Sequence, residues 1–199
     1  DAMGLKLDVD HAQGIMIVNM GADTTEISVL SLGGIVVSKL LPYGGNYFDE
    51  QIMNYIRKKY NFVIGRKSAE QIKRTLVSAV PVDETVTVAG RNVIAGLPGQ
   101  ITVSSGEIFP LVQDVFYTIS AAVKSMLERT PPEIASQIQE DGIYLTGGSS
   151  WLRGVDQLLA NETRYRVNTT KHAQRTVITG LGYLAENPKV AARYSVPLE

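Results

Sequence analysis

Three short stretches of the chain carry the residue types that can hold a phosphate or a nucleotide. The first is VNMGADTT, residues 18–25, which lies between two apolar, β-branched runs and is therefore predicted to be the tip of a β-hairpin. A tip of the form Asp-x-Gly-x-Gly-Thr would present backbone amides, a hydroxyl and a carboxylate to a metal–phosphate group. This chain has Asn19 and Asp23 at two of those places, which raises the question whether the hairpin still holds a phosphate.

The second stretch is TGGSS, residues 146–150, which follows a predicted buried strand and opens a helix. Gly147 and Gly148 would let a ligand approach the backbone, and the free amides at a helix start attract an anion. A tight structural turn explains the same residues without a ligand. A serine hydrolase is disfavoured, because the nucleophile pattern Gly-x-Ser-x-Gly would place Trp151 at its final glycine.

The third stretch is a charged trio, Glu70, Lys73 and Arg74, whose spacing puts all three side chains on one helical face. A carboxylate and an ammonium could bracket a ribose diol while the planar guanidinium stacks on a base. The alternative is a solvated set of ion pairs, each contributing on the order of 0.3 kcal/mol. On spacing alone, the solvated set is the commoner arrangement.

The elements that must position these stretches follow from the hydrophobic periodicity. Three antiparallel strands are predicted over residues 14–41, followed by an amphipathic helix from about 47 to 60. A short helix and a small strand meander come next, and the chain then continues in the order α-α-β-α-β-α. This order predicts an α/β fold, a mixed sheet with flanking helices, into which residues 46–104 are inserted as a small α+β subdomain.

Two helix starts are predicted from capping-box spacing. Ser68 with Gln71 is predicted to open the short helix that carries the charged trio, and Ser104 with Glu107 is predicted to open a long helix running through Leu127. In each pair the first side chain would accept a bond from a free backbone N–H group, and the second side chain would accept one from the backbone N–H of the first residue.

Composition excludes several classes of protein. The chain has 19 Lys and Arg against 20 Asp and Glu, a net charge of -1, which argues against nucleic-acid binding by bulk charge. The lack of cysteine excludes disulfides, thiolate–metal sites and a cysteine nucleophile. The apolar runs fall short of the roughly 18 residues that span a bilayer. The opening DAMGLKLDVD is typical of the middle of a longer protein sequence, so the chain is expected to be a fragment.

Taken together, the three stretches resemble the superfamily of actin, sugar kinases and heat-shock chaperone ATPases. Longer blocks are similar to the MreB family, the bacterial actin homologues that determine rod shape. These blocks, within about Ala2 to Glu186, are GIMIVNMGADTTEISVLSLGGIVVSKLLPYGGNYFDEQIMNYIRKKYNFVIGRKSAEQIK, ITVSSGEI, LERTPPEIA and GIYLTGGSSWLRGVDQLLANET.

The resemblance implies an actin-like (ribonuclease H-like) fold with two large domains around an ATP cleft. This chain would be the second domain, with residues 1–45 and 105–199 as subdomain IIA and residues 46–104 as the inserted subdomain IIB. The preceding half would hold the other phosphate hairpin, the glutamate that positions the hydrolytic water and the membrane-binding element. The fragment is therefore expected to contain no catalytic residue and not to hydrolyse ATP by itself.

The resemblance also implies which residues bind the nucleotide. Ten positions match nucleotide-binding positions of the family: Asn19, Gly21, Asp23, Thr24, Thr25, Glu70, Lys73, Arg74, Gly147 and Gly148. The hairpin residues would hold the phosphates, the two glycines would line the adenosine side, and Glu70 with Lys73 would bind the ribose. Arg74 matches the stacking arginine of the chaperone branch more than the usual MreB pattern.

Two departures from the family pattern affect the same phosphate group. Asn19 stands where the family has an aspartate associated with Mg²⁺, and Asp23 replaces a glycine near the terminal phosphates. A carboxylate about 5 Å from one phosphate charge costs roughly 3 kcal/mol at an effective dielectric of 20. Because the two residues are four apart on an extended hairpin, Asp23 could instead face the same side and supply the metal carboxylate. The alternative is a degenerate site that no longer binds nucleotide.

The resemblance implies a cytoskeletal protein that uses ATP and Mg²⁺, is an ATPase at full length, and polymerises with itself into filaments. These filaments would lie in the cytoplasm at the inner face of the membrane and direct rod shape. A RodZ-like membrane partner and, indirectly, the cell-wall synthesis machinery are expected. Two alternatives stay open: a nucleotide-poor scaffold that co-assembles with other filaments and, less favoured, a chaperone-type ATPase, which AEQIKRTL resembles.

Overall fold

The computed structural model describes residues 1–10 and 13–194. The strands of this part of the chain are β1 (Ile15–Met20), β2 (Thr25–Ser31), β3 (Gly34–Leu41), β4 (Phe62–Val63), β5 (Thr85–Asn92), β6 (Pro98–Ser104), β7 (Ile143–Thr146) and β8 (Val167–Thr169). Its α-helices are α1 (Gly45–Tyr60), α2 (Arg66–Leu76), α3 (Ser105–Arg129), α4 (Pro132–Asp141), α5 (Val155–Thr163), α6 (Thr176–Glu186) and α7 (Pro188–Tyr194). Short 3₁₀ turns cover Met3–Leu5, Gly148–Trp151 and Ala173–Arg175.

A five-stranded mixed sheet in the order β3-β2-β1-β7-β8 forms the larger part of the fold. Strands β1, β2 and β3 are antiparallel neighbours, while β7 and β8 add to β1 in parallel. β1 lies in the middle because its side chains are apolar on both faces, and residues 15–18 are all buried. The predicted three-strand meander and the mixed sheet are confirmed.

A second, antiparallel sheet of three strands, β4-β5-β6, lies within residues 62–104. β5 and β6 form the small meander that the alternating sequence predicts. Buried side chains of both sheets belong to one apolar cluster. The boundaries of an inserted subdomain at residues 46 and 104 therefore stay a prediction.

Helix α1 shows how the two sheets share a core. Its side chains Phe48, Ile52 and Ile56 follow the spacing predicted for an amphipathic helix and are fully buried. The Phe48 ring stacks on Phe116 of α3 at a centroid distance of 5.3 Å. Burial of each such side chain contributes about 1.5–3 kcal/mol, so these contacts hold α1 firmly against α3.

One of the two predicted helix starts is confirmed. Helix α3 begins after Ser104, whose backbone N–H and hydroxyl both donate to Glu107 Oε2 at 2.9 Å, and the capping box is present. The capping box predicted at Ser68 is wrong, because α2 already begins at Arg66. The Ser68 hydroxyl donates instead to the carbonyl of Ala89 in β5, 3.1 Å away.

Most of the exposed large apolar side chains lie in three places. They lie around the turn between β2 and β3, around the turn between β5 and β6, and on α6. These residues are Leu32, Ile35, Val93, Ile94, Leu97, Val177, Ile178, Leu181 and Tyr183. Among the described helices, none combines the length and apolar character needed to cross a bilayer.

Candidate functional site

A cleft of about 720 Å³ lies where the β1–β2 hairpin, the start of α1, helix α2 and the turn after β7 meet. Its volume is in the range of roughly 300–1,000 Å³ typical of small-molecule sites. Seven of the predicted nucleotide-binding residues line it: Asn19, Gly21, Glu70, Lys73, Arg74, Gly147 and Gly148. The fold thus brings three distant stretches of the sequence to one place.

The tip of the β1–β2 hairpin is fastened to the start of α1. The Gly21 N–H donates to the Thr24 carbonyl at 2.8 Å and closes the turn. The Gly21 carbonyl accepts from the Gly45 N–H at 3.0 Å, and the Ala22 carbonyl accepts from the Asn46 N–H at 2.7 Å. The hairpin tip and the helix start therefore form one continuous wall of the cleft.

Three predicted residues of the hairpin do not line the cleft. Thr25 is buried, and its hydroxyl donates to the Tyr43 carbonyl at 2.7 Å, which fastens the hairpin to the segment after β3. Thr24 contributes its carbonyl to the turn. Asp23 is exposed, and its Oδ1 accepts a bond from Asn46 Nδ2 at 2.7 Å. The tip would therefore meet a ligand through its backbone more than through these side chains.

The turn after β7 is pressed against the end of β1. Gly147 has a φ of +84°, and a Cβ there would lie 2.2 Å from the Met20 carbonyl oxygen and 2.5 Å from Asn19 Oδ1. Glycine is therefore required at this position. Ser149 Oγ donates to the Gly21 carbonyl at 2.9 Å, which ties the turn to the hairpin tip.

The charged trio on α2 is not a set of mutual ion pairs. Lys73 Nζ contacts Asp49 Oδ2 of α1 at 2.7 Å and the Gly45 carbonyl oxygen at 3.1 Å. Glu70 and Arg74 line the cleft and form no ion pair with another described residue. Both side chains are therefore available to a ligand.

Two further cleft residues, Asp49 and Trp151, are absent from the sequence prediction. Asp49 Oδ1 is buried and makes no hydrogen bond with a described residue. Its sequence signal, a charge on the polar face of an amphipathic helix, is shared by its solvated neighbours. Trp151 is the chain's one tryptophan and is 51% exposed. Its position directly after the TGGSS turn was the sequence signal that could have placed Trp151 in the cleft.

Together these groups suit a ligand with a phosphate chain at one end and a planar ring at the other. The backbone N–H groups of Ala22 and Gly148 donate to no described residue and can donate to phosphate oxygens. Glu70 and Lys73 offer an acceptor and a donor to a sugar, and Arg74 offers a planar face to a base. The described residues fit a nucleoside diphosphate or triphosphate.

The donor set also limits how a metal could bind. No group of three or more His, Cys, Asp or Glu side chains suited to a metal ion occurs in the described part of the chain. A cation here would need phosphate oxygens as its main ligands. Mg²⁺ binds in this way, because it keeps several waters and takes only one or two protein carboxylates.

The sheet order and the cleft beside the hairpin define an actin-like fold. The crystal structure of MreB5 of Spiroplasma citri bound to ADP matches with a TM-score of 0.86 and 32% identity, over 98% of this chain and 60% of that chain. The MamK double helical filament shares the fold at a TM-score of 0.73 and 24% identity, over 94% of this chain and 57% of that chain. The predicted fold class is confirmed.

The chain belongs to the MreB/Mbl family, whose family model, MreB/Mbl protein, matches residues 1–193. The cell shape-determining protein MreB of Escherichia coli (strain K12) is 42% identical over 187 residues, which are 93% of this chain and 54% of that protein. The cell shape-determining protein Mbl of Bacillus subtilis (strain 168) is 37% identical over 188 residues, 94% of this chain and 56% of that protein. The chain thus spans little more than half the length of these relatives.

Proposed function

We propose that this chain is half of an ATP-binding cytoskeletal protein that polymerises into actin-like filaments and directs rod cell shape. One observation carries the proposal: seven residues predicted from three distant stretches line a single cleft. The relatives add support. MreB of Escherichia coli and Mbl of Bacillus subtilis are cell shape-determining proteins, and MreB5 of Spiroplasma citri has been crystallised with ADP and with AMPPNP.

Each wall of the cleft would hold one part of the nucleotide. The phosphates lie against the hairpin tip around Gly21, and the glycine turn at residues 147–148 allows the nucleoside to approach the backbone. Glu70 and Lys73 hold the ribose, and the Arg74 guanidinium stacks on the base. Thr24 and Thr25 shape and anchor the tip.

When bound, Mg²⁺ would supply positive charge that neutralises the phosphates. Asn19 lines the cleft and can contribute only a neutral amide. Asp23 supplies a carboxylate at the hairpin tip and would act on the ion directly or through its bound water. We propose Asp23 as the residue associated with the metal.

The full-length protein would assemble with itself and with other proteins of the cell. Filaments would form in the cytoplasm at the inner face of the membrane, with a RodZ-like membrane partner and an indirect link to the cell-wall synthesis machinery. Exposed apolar side chains at the β2–β3 and β5–β6 turns support self-association, because such residues commonly mark contact surfaces. Hydrolysis of ATP would need the other half of the protein.

Calorimetric titration of the full-length protein with ATP tests the proposal, with and without Mg²⁺. Wild type should bind ATP. Arg74→Ala should weaken binding about fivefold, the effect of losing one cation–π contact of roughly 1 kcal/mol. Arg57→Ala removes the same charge from an exposed position of α1 and should bind ATP like wild type. Absence of binding by the folded wild type would contradict the proposal.

A second candidate function is a scaffold that co-assembles with other filaments without nucleotide. Asn19 and Asp23 favour this function. Relative to the family pattern, Asn19 removes one carboxylate from the cleft and Asp23 adds one at the hairpin tip. Sedimentation of the full-length protein separates the two functions. Filaments that form equally with and without ATP support the scaffold, whereas filaments that require ATP support the nucleotide-driven protein.

A further inference from the structure

Asp49 and Lys73 form an ion pair within the wall of the cleft. Asp49 belongs to α1 and Lys73 to α2, and the distance from Nζ to Oδ2 is 2.7 Å. Their side chains are only 14% and 13% exposed, which makes the pair more shielded than the other ion pairs between described residues. The shielding strengthens the attraction between the two charges.

Two contacts fix the position of the Lys73 ammonium and leave one donor over. An ammonium group has three N–H donors. One donates to Asp49 and one to the Gly45 carbonyl oxygen at 3.1 Å. A Cβ at Gly45 would lie 3.2 Å from Nζ, so the backbone packs closely beside the ammonium. Because Lys73 lines the cleft, the third N–H is available to whatever occupies it.

Asp49 also prevents Lys73 from moving away. Asp49 Oδ1 is buried without a hydrogen bond to a described residue, and Lys73 is the cation paired with this carboxylate. Withdrawal of the ammonium would leave a buried negative charge unpaired, which is strongly unfavourable. The ammonium is therefore held in place before a ligand arrives.

We infer that Asp49 is a positioning residue that directs one N–H of Lys73 at a ribose hydroxyl of the bound nucleotide. This inference rests on the proposed function, because it takes ATP as the occupant of the cleft. A ribose hydroxyl can accept a bond from the ammonium and donate one to a carboxylate, and Glu70 lines the same cleft. Asp49 acts through Lys73 and has no need to touch the nucleotide.

The test compares ATP with 2′-deoxy-ATP and 3′-deoxy-ATP in calorimetric titrations of the full-length protein. For wild type, at least one deoxy analogue should bind about tenfold more weakly than ATP, as expected for one lost hydrogen bond to a charged donor. In Asp49→Asn this ratio should fall to about twofold or less, because the neutral amide oxygen holds the ammonium far more weakly than the carboxylate does. A purely structural role would weaken all three nucleotides equally and leave the ratio unchanged.

Two further variants complete the experiment: a control on the same helix and a variant without an unpaired buried charge. Glu50→Gln removes a carboxylate from the next, exposed residue of α1 and should keep the wild-type ratio. The double variant Asp49→Asn/Lys73→Met leaves no buried charge unpaired and removes the donating ammonium itself, so a wild-type ratio in it would overturn the inference if the single variant does not fold. Its ratio should also be about twofold or less.

The possible failures are distinguishable. A wild-type ratio in a folded Asp49 variant, or equal binding of all three nucleotides by wild type, would overturn the inference and leave the proposed function standing. Failure of wild type to bind ATP would overturn the proposed function, and the role inferred for Asp49 with it.

Discussion

At the scale of single residues, Asp23 is the proposed contact of the hairpin tip with a metal–phosphate group. Its Oδ1 accepts a bond from Asn46 Nδ2 at 2.7 Å, which orients the carboxylate and leaves Oδ2 without a hydrogen bond to a described residue. Asn19, four residues earlier, lines the cleft and has no charge. Because Mg²⁺ can reach a carboxylate through its bound water, Asp23 can supply the charge that Asn19 lacks.

Asp23→Asn is therefore expected to reduce the gain in ATP affinity that Mg²⁺ provides. The amide oxygen of asparagine can still accept the bond from Asn46, so the substitution removes the charge and preserves the turn. A charge about 5 Å from a divalent cation is worth roughly 1.5 kcal/mol in a water-like dielectric, which predicts a loss of about tenfold. Titrations with ATP, with and without Mg²⁺, measure the gain in both proteins.

The opposite result would reveal a different role for Asp23. Tighter binding by Asp23→Asn without Mg²⁺, with the magnesium gain unchanged, would show that the carboxylate only repels the phosphates. Equal affinity of wild type for ATP with and without Mg²⁺ would also contradict a role in metal binding.

Some residues of the cleft could be predicted because their type and their spacing within one short stretch indicate what they can bind. Glycines at turns and a charged trio at helical spacing are visible in the sequence. The glycines of the TGGSS turn and the three residues of the trio do line the cleft. Asp49 was missed because its significance depends on Lys73, 24 residues away on another helix. Thr25 is predicted as part of the phosphate-binding hairpin, and its hydroxyl donates to a carbonyl of another segment. Tertiary partners of this kind leave no signal in the local pattern.

At the scale of elements, the starts of α2 and α3 differ because the hydroxyls of Ser68 and Ser104 have different hydrogen-bond partners. Ser104 has Glu107 one turn ahead and forms the predicted capping box. Ser68 lies beside β5, and its hydroxyl bonds to a carbonyl of that strand. Helix α2 begins three residues earlier than predicted. The strand residue that accepts the bond from Ser68 lies 21 residues further along the chain, so the local sequence does not reveal it.

Glu107 does more than cap α3. Its carboxylate also accepts bonds from Lys59 and Tyr60 at the end of α1, so it links the two helices. Burial raises the pKa of Glu107, but the hydrogen bonds from Lys59, Tyr60 and Ser104 outweigh burial and lower this pKa from 4.5 to about 2. The folded state therefore favours the ionised carboxylate.

Glu107→Gln is expected to lower the free energy of unfolding at neutral pH by about 1–2 kcal/mol, because it replaces the charged hydrogen bonds from Lys59, Tyr60 and Ser104 with bonds to a neutral amide. Since the folded pKa lies below the ordinary value, the ionised form stabilises the fold above pH 4.5, and this contribution disappears as the pH falls toward 2. The difference between wild type and variant should shrink over the same interval. Chemical denaturation at several pH values measures it.

Glu128→Gln provides the control for this experiment. It removes a carboxylate from an exposed position on the same helix, where no ion pair with a described residue forms. Its free energy of unfolding should stay within about 0.5 kcal/mol of wild type at each pH. A constant difference between wild type and Glu107→Gln from pH 7 to pH 2 would refute the role assigned to the Glu107 carboxylate.

At the scale of the whole molecule, the order of elements was predictable and their packing was not. The switch between strand and helix periodicity indicated the mixed sheet and its flanking helices. The sequence also predicts an inserted subdomain at residues 46–104, which stays a prediction; buried side chains of β5 and β6 belong to the cluster that contains those of β1. Such long-range packing depends on which faces meet in three dimensions, and the spacing of apolar residues within one element does not determine that.

Large apolar side chains are exposed at the β2–β3 and β5–β6 turns, and we expect filament contacts there. Leu32 is 70% exposed and Ile94 is 80% exposed. Burying such a side chain contributes about 1.5–3 kcal/mol, so Leu32→Asp or Ile94→Asp should raise the critical concentration for filaments of the full-length protein at least about tenfold in sedimentation assays. Gln139→Asp adds the same charge to an exposed position of α4 and should assemble like wild type. Unchanged assembly of both turn variants would exclude these turns as contacts.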